Sequence, residues 1–313
     1  MPLDISDLLV CPGCRTPVVS LGGWGDGEHR CERCGRPYGI VRGIPRFVES
    51  EAYAGSFGFE WQRHRRTQLD VEQDGESERT FREKTGFTPE AIRDQLVLDV
   101  GCGMGRFAEV ASRWGASVVA ADLSLAVESA RDNLADRPNV AVVQADCFAL
   151  PFPMETFDVI YSLGVLHHTP DCAAAFRGLV PLLKPGGTIA IWVYAHMGYW
   201  GAVASVYRRV TTRLPHPVLH ALCHVAVPLY YLHRVPLLGA VTRTLMPTSM
   251  HPRGTWRVLD TFDWYSPRYQ SMHTREEVSG WFAKAGLTNV SVLDFPVSVR
   301  GDKPVAPERS PRR

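Results

Sequence analysis

The chain is expected to be an α/β protein. It should hold a doubly wound, mostly parallel sheet, with a small β-rich module at its N-terminus and a helical insertion toward its C-terminus. Three observations predict this. Short apolar runs alternate with amphipathic segments between residues 96 and 194. Two Cys-x-x-Cys pairs stand within the first 48 residues, among many glycines. The alternation then stops, and residues 195–272 turn rich in aromatics, His, Arg and Pro. Strands that alternate with helices favour parallel pairing, because each crossover helix covers a face of the sheet.

Residues 1–48 read as the β-rich module and 49–95 as a polar helical connector, with charge-rich runs at Trp61–Arg66 and Glu76–Arg93. Residues 96–300 read as the main domain. Its expected strands are Leu96–Val100, Ser117–Ala121, Val140–Gln144, Phe157–Ser162 and Thr188–Tyr194. Helices are expected at Arg106–Trp114, Ser124–Leu134 and Cys172–Leu183, with 195–272 as a lid insertion. A helix over Thr274–Ala285 should be closed by Gly286 and followed by a last strand near Val290–Phe295. The Pro-, Arg- and Ser-rich stretch 301–313 reads as a disordered tail.

The 313 residues are 45% hydrophobic and 21% charged, ordinary for a globular chain of about two domains. The formal net charge of +1 gives no electrostatic case for a nucleic-acid partner. The start of the chain lacks the basic and long apolar regions of a signal peptide, and its cysteines outside the two pairs are scattered, so a reducing, cytoplasmic setting is expected. The apolar stretch Pro217–Leu245 is broken by His220, His224, Pro228, His233, Arg234, Pro236 and Arg243, and reads as packed lid helices, not a membrane span. Nothing in the pattern specifies an oligomeric state.

Cys11, Cys14, Cys31 and Cys34 form two pairs separated by sixteen residues. Four thiolates at that spacing close a tetrahedral shell around one Zn²⁺, with Gly13 and Gly35 freeing the knuckle backbones. The competing reading is a redox pair, but that needs one Cys-x-x-Cys opening a helix. With all four positions filled by Cys, the metal is expected to be structural.

Val97-Leu-Asp-Val-Gly-Cys-Gly-Met-Gly-Arg106 places Gly101, Gly103 and Gly105 at a strand-to-helix turn, where backbone approaches a ligand closely. Alone, this pattern also fits a nicotinamide or flavin site, or a tight turn. Three acids raise it. Asp99 precedes the glycines, Asp122 ends the second strand seventeen residues after Gly105, and Asp146 ends the third. Acids at successive strand ends lie where open α/β sheets bind ligands, and an acid at Asp122's position accepts from ribose hydroxyls.

Residues 96–194 resemble the class I (Rossmann-like) S-adenosylmethionine-dependent methyltransferases, especially the branch with ubiquinone- and menaquinone-biosynthesis enzymes. The resemblance rests on the glycine loop, on Phe157-Asp-Val-Ile-Tyr-Ser-Leu-Gly-Val-Leu-His-His-Thr169 and on Leu183-Lys-Pro-Gly-Gly-Thr-Ile-Ala-Ile191. It implies that Asp99, Gly101, Cys102, Gly103 and Gly105 hold the methionine end of the cofactor. Asp122 with Leu123 would hold the ribose, and Asp146, Cys147 and Phe148 the adenine. The backbone of Ser162, Leu163 and Gly164 would lie beside the sulfonium. Arg79–Gly86 resembles text that precedes the glycine motif in some members and closes over the cofactor. The first fifty residues, through Leu8-Leu-Val-Cys-Pro12 and Tyr38-Gly-Ile-Val-Arg-Gly-Ile-Pro-Arg-Phe47, resemble the zinc-ribbon activators of tRNA and release-factor methyltransferases, here fused in cis.

Methyl transfer from a sulfonium needs alignment and exclusion of water, and a base only if the acceptor must lose a proton. His167 and His168, after the fourth strand, are candidate bases; packing for His167 and helix capping for His168 are the favoured roles, because the pair fits the family motif without a catalytic requirement. Asp260–Tyr269 and Met272–Thr274 bring acids, aromatics and a His into one expected loop, with Tyr265 and His273 as candidate positioning groups or bases. The lid aromatics either line an apolar acceptor pocket or pack the inserted helices together. The leading functional expectation is methylation of a small molecule, of natural-product, lipid-linked or saccharide type. Methylation of rRNA or tRNA is the alternative, supported by the basic cluster Arg63–Arg66. A non-catalytic partner protein that only binds S-adenosylmethionine is the third reading.

Overall fold

The computed structural model describes residues 3–18, 25–70, 75–196 and 198–305. Strands β1 (Gly27–Arg30), β2 (Pro37–Val41) and β3 (Ile44–Arg46) form an antiparallel N-terminal ribbon, followed by helices α1 (Gly55–Arg63), α2 (Glu76–Thr85) and α3 (Pro89–Ile92). Then come β4 (Leu96–Val100), α4 (Arg106–Arg113), β5 (Ser117–Asp122), α5 (Ala126–Asn133), β6 (Val140–Gln144), β7 (Phe157–Leu163), α6 (Cys172–Leu179) and β8 (Leu183–Trp192). The lid comprises α7 (Gly198–Thr211), α8 (His216–Cys223), α9 (Ala226–Leu232), α10 (Leu238–Leu245) and α11 (Gly254–Tyr265). The chain ends through α12 (Arg275–Lys284), β9 (Thr288–Val292) and β10 (Ser298–Asp302).

The sheet runs β1-β2-β3-β6-β5-β4-β7-β8-β10-β9. Its centre, β6 to β8, is parallel, and β10 and β9 close one edge antiparallel. Helices cover both faces, so central positions such as Leu98, Val119, Ile160 and Ile189 are apolar without alternation and fully buried. The strand order reverses between β4 and β7, which opens a crevice at their carboxyl ends.

Four expectations change. The helix expected over Cys172–Leu183 stops at Leu179, because Pro181 lacks the N–H that would continue it; a 3-10 turn carries the chain into β8. The last strand starts earlier, at Thr288, and a further strand follows it. That strand, β10, runs through Gly301 and Asp302, which were expected to begin the disordered tail; residues 306–313 of that tail lie outside the described residues. The acid- and aromatic-rich run from Asp260 to Tyr265 is helix, not loop.

The ribbon is also less independent than its spacing suggests. β3 pairs in parallel with β6 through Arg46 and Gln144, and Leu9, Val18 and Tyr38 share one core with Val143 and Phe152. Arg42 bridges to Glu128 and Asp132 on α5, at 2.6 and 2.8 Å. The lid returns where Ala195 bridges to His273, and Thr274 caps α12 by accepting the Glu277 N–H at 3.1 Å.

Candidate active site and cysteine cluster

The carboxyl ends of β4 to β8 open onto one cavity of about 790 Å³, roofed by α1, α2 and α11. The glycine turn forms one wall. Gly101 sits at φ 78° with its missing Cβ 2.3 Å from the Val165 side chain, so only glycine fits. Gly103, at φ 54°, leaves the space under the Trp61 indole that a Cβ would fill at 3.1 Å. Its N–H donates to Asp122 Oδ2 at 2.9 Å, while Asp122 Oδ1 accepts from the Ser124 N–H and hydroxyl at 2.8 and 2.7 Å. Asp122 thus fixes the turn while lining the cavity beside Leu123.

The other expected cofactor residues divide. Cys102, Cys147 and Leu163 line the cavity with Gly101 and Gly103. Gly105, at φ 91°, packs against Leu134 and starts α4 behind the wall. Asp99 lies buried behind the glycine turn, and burial pushes its carboxyl up to about 8. Asp146 is also off the wall: its Oδ1 accepts from the Tyr53 hydroxyl and the Phe148 N–H. The Phe148 side chain is exposed outside the cavity. Ser162 is buried beneath it, donating to the Val100 carbonyl at 2.9 Å and so tying β7 to β4.

Of the candidate bases, only His168 reaches the cavity. Its Nδ1 lies 3.0 Å from the Tyr269 carbonyl, which can only accept, so Nδ1 carries the proton and Nε2 keeps a lone pair. Nε2 stands 3.9 Å from Asp263 Oδ1, and burial lowers the ring's pKa and keeps it neutral. His167 is fully buried off the wall and stacks on the Tyr194 ring with centroids 3.9 Å apart. Tyr265 packs inside the lid, its hydroxyl donating to the Pro247 carbonyl at 2.7 Å. His273 is engaged with Ser271 and Glu277, at 2.8 and 3.0 Å.

The cavity is also lined by buried polar groups from α1, α2 and α11, of which the sequence pointed to those of the Asp260–Tyr269 run. Glu60 on α1 is completely buried, has no hydrogen-bond partner, and is pushed well above the carboxylate range by burial. Lys84 on α2 places Nζ 3.2 Å over the Trp192 ring, and burial pulls its pKa well down. From α11 come Asp260, raised by burial to about 7, and Asp263, which accepts the Tyr194 hydroxyl at 2.6 Å. Asp260 and Asp263 share a helix face at a three-residue interval, a signal the sequence did carry. Arg79, Thr80, Glu83 and Lys84 place one face of α2 on the cavity. Among the described side chains, Trp256 and Trp264 are the lid aromatics that reach it, whereas Tyr207, Tyr230 and Tyr231 do not.

At the N-terminus, the Sγ atoms of Cys11, Cys14, Cys31 and Cys34 lie within 4.8 Å of one another, with Cys11–Cys34 and Cys14–Cys31 at 3.6 and 3.4 Å. Thiolates 2.3 Å from a tetrahedral Zn²⁺ are about 3.8 Å apart, so the donor set fits that ion. Gly35 takes the left-handed turn of the second knuckle at φ 71°, but in the first knuckle that place falls to Arg15, at φ 60°, and not to Gly13. The Arg15 guanidinium donates to the carbonyls of Leu150 and Phe152, fastening the knuckle to the main domain.

Residues 98–191 match the family described as a methyltransferase domain. With the sheet order and glycine turn, this stretch has the architecture of a class I S-adenosylmethionine-dependent methyltransferase domain. A demethylmenaquinone methyltransferase of Thermobifida fusca is 35% identical over 123 residues, 38% of this chain and 52% of that protein. The 27-O-demethylrifamycin SV methyltransferase of Amycolatopsis mediterranei is 37% identical over 114 residues, 34% of this chain and 40% of that protein. An S-adenosylmethionine-dependent methyltransferase structure from Mesorhizobium loti overlaps 73% of this chain and 98% of its own, at 21% identity and a TM-score of 0.43. The chain spans about half the length, or less, of the curated relatives it matches.

Proposed function

We propose that the chain transfers the methyl group of S-adenosylmethionine to a small-molecule acceptor, and that its four-cysteine cluster holds a structural Zn²⁺. The observation that carries this reading is the single cavity shared by the glycine turn and the buried polar groups of α1, α2 and α11. Gly101, Gly103 and Asp122 suit the donor end, with Leu123, Ala145 and Cys147 against its base. Bound there, S-adenosylmethionine supplies an electrophilic methyl group open to displacement in line with its sulfur. Trp256 and Trp264 then exclude water from the acceptor side. His168, with Nε2 unprotonated but buried toward Asp263, is the one expected base beside the cavity where the acceptor must lose a proton. The relatives named for methylation of demethylmenaquinone and 27-O-demethylrifamycin SV support a small acceptor.

The test incubates the protein with labelled methyl donor and separates small-molecule from RNA fractions of a cell extract. Label is expected in the small-molecule fraction. Trp264→Ala should raise acceptor KM while leaving the donor dissociation constant within a few-fold. Label confined to RNA, and lost when Arg63, Arg65 and Arg66 are neutralised, would replace this reading with nucleic-acid methylation.

A further inference from the structure

We propose that the outer face of the lid, formed by α7, α9 and α10, docks on an anionic lipid surface. No Asp or Glu occurs between Asp171 and Asp260, whereas residues 195–259 hold seven arginines and six histidines. Within this stretch, α10 packs beside both α7 and α9, so their outer sides are neighbours. Those sides carry large apolar side chains in water. Val206, Val210, Tyr231, Val241 and Leu245 are each more than half exposed, and Leu237 is 90% exposed. Single exposed apolar residues are ordinary on a protein surface, but a cluster over adjoining helices marks an interaction face. Leu237 holds φ 61°, a region a leucine rarely adopts, although the residue is almost wholly exposed. Such strain is retained where a projecting group has a use.

The charge decides the occupant. Arg209, Arg213 and Arg234 are exposed on or beside these helices and pair with no carboxylate among the described residues. Apolar side chains interleaved with arginine are the composition of helices that lie in a lipid interface, the arginines meeting acidic headgroups. A second copy of the chain fits poorly. A two-fold contact sets this face against itself, cation against cation, with no acid to compensate. No described helix is long and apolar enough to cross a membrane, so the lid would lie on the surface. Beneath it, α11 supplies Trp256, Asp260, Asp263 and Trp264 to the cavity. A docked lid therefore sets the acceptor chamber next to the bilayer, which suits an apolar or lipid-linked acceptor. That last step rests on the proposed methyl transfer; the docking does not.

The experiment sediments the full chain with phosphatidylcholine vesicles, with or without phosphatidylglycerol, at about 0.1 M and about 1 M salt. Binding is expected to be at least about tenfold stronger with phosphatidylglycerol and to weaken at high salt. The double variant Leu237→Glu/Val241→Glu should lose at least about tenfold of that binding, since both side chains must enter the interface. Its thermal midpoint and its heat of S-adenosylmethionine binding report that it is folded. On the unaltered chain, phosphatidylglycerol vesicles should slow tryptic cleavage at Arg209, Arg213 and Arg234. Equal binding to both vesicle types, absence of binding, or unchanged cleavage overturns the proposal. So does a concentration-dependent dimer that the double variant breaks, or capture by polyglutamate without capture by vesicles, which would assign the face to a second copy or to an acidic protein. None of these measurements reads methyl transfer, so their failure leaves the function above standing or falling by its own test.

Discussion

Asp122→Asn changes one oxygen to nitrogen at the junction of glycine turn and cavity, and the structure gives its cost. The carboxylate accepts three protein hydrogen bonds, from the Gly103 N–H and from the Ser124 N–H and hydroxyl. A carboxylate has about four lone-pair sites, which leaves one for a ligand hydroxyl. Asparagine keeps a single accepting oxygen. Turned toward Ser124 it satisfies two donors and sets its amide NH₂ against the Gly103 N–H, donor against donor. An orphaned buried N–H costs about 1–3 kcal/mol, and an accepting charged group lost to a ligand about 1.5–3 kcal/mol. The two share one site, so they do not simply add. S-adenosylmethionine affinity is expected to fall by one to two orders of magnitude, about 1.4 kcal/mol per factor of ten. Part of the cost falls on the free protein, so its thermal midpoint should drop as well. Calorimetric titration beside a melting curve reads both. A dissociation constant within twofold of the parent, with an unchanged midpoint, would refute the placement of the donor against this turn.

Two further outcomes follow from other parts of the molecule. Purified chain should carry about one zinc, the stoichiometry of a single closed four-thiolate shell, and Cys31→Ser should lose it and destabilise the shared core with the ribbon; fully folded, metal-free parent protein would sink the zinc reading. His64 on α1 and His220 on α8 face each other with Nε2 atoms 3.0 Å apart, and burial pulls both rings down to about 4. Because these rings ionise near 6.5 when unfolded, the unfolded chain binds more protons between about 4 and about 6.5. Stability should therefore be complete above that window and fall as pH drops through it. His220→Gln removes one of the two titrations, so the midpoint's slope against pH should become shallower there; an unchanged slope contradicts the pairing.

The parts legible in the sequence are those whose chemistry is written within a few neighbouring residues. The glycine turn and Asp122 belong to one β-α-β unit, where strand, turn and following strand end are fixed by a local pattern. The cysteine knuckles are likewise local, and the four Sγ atoms converge as their spacing predicts. Even here the tertiary structure moved details. Gly13 was expected to free the first knuckle, but Arg15 takes its left-handed place, and the Arg15 guanidinium donates to two carbonyls of the main domain. Asp99, Asp146 and Phe148 sit at the expected strand ends but off the cavity wall, since a strand end fixes where a residue lies and not which way neighbours turn its side chain. His168 and His167 are adjacent in sequence, yet only His168 meets the cavity, because its ring is held by the carbonyl of Tyr269, a hundred residues on.

Only the tertiary structure assembled the polar groups of the cavity. Glu60, Lys84, Asp260 and Asp263 come from α1, α2 and α11, and no short-range pattern links the first two to the last. The same holds for β10, whose place is set by register against β8, and for the ribbon's entry into the sheet through Arg46 and Gln144. Periodicity reports how a segment folds on itself. Convergence of distant segments is decided by which buried faces pack together, and that is where these cavity-lining groups were chosen.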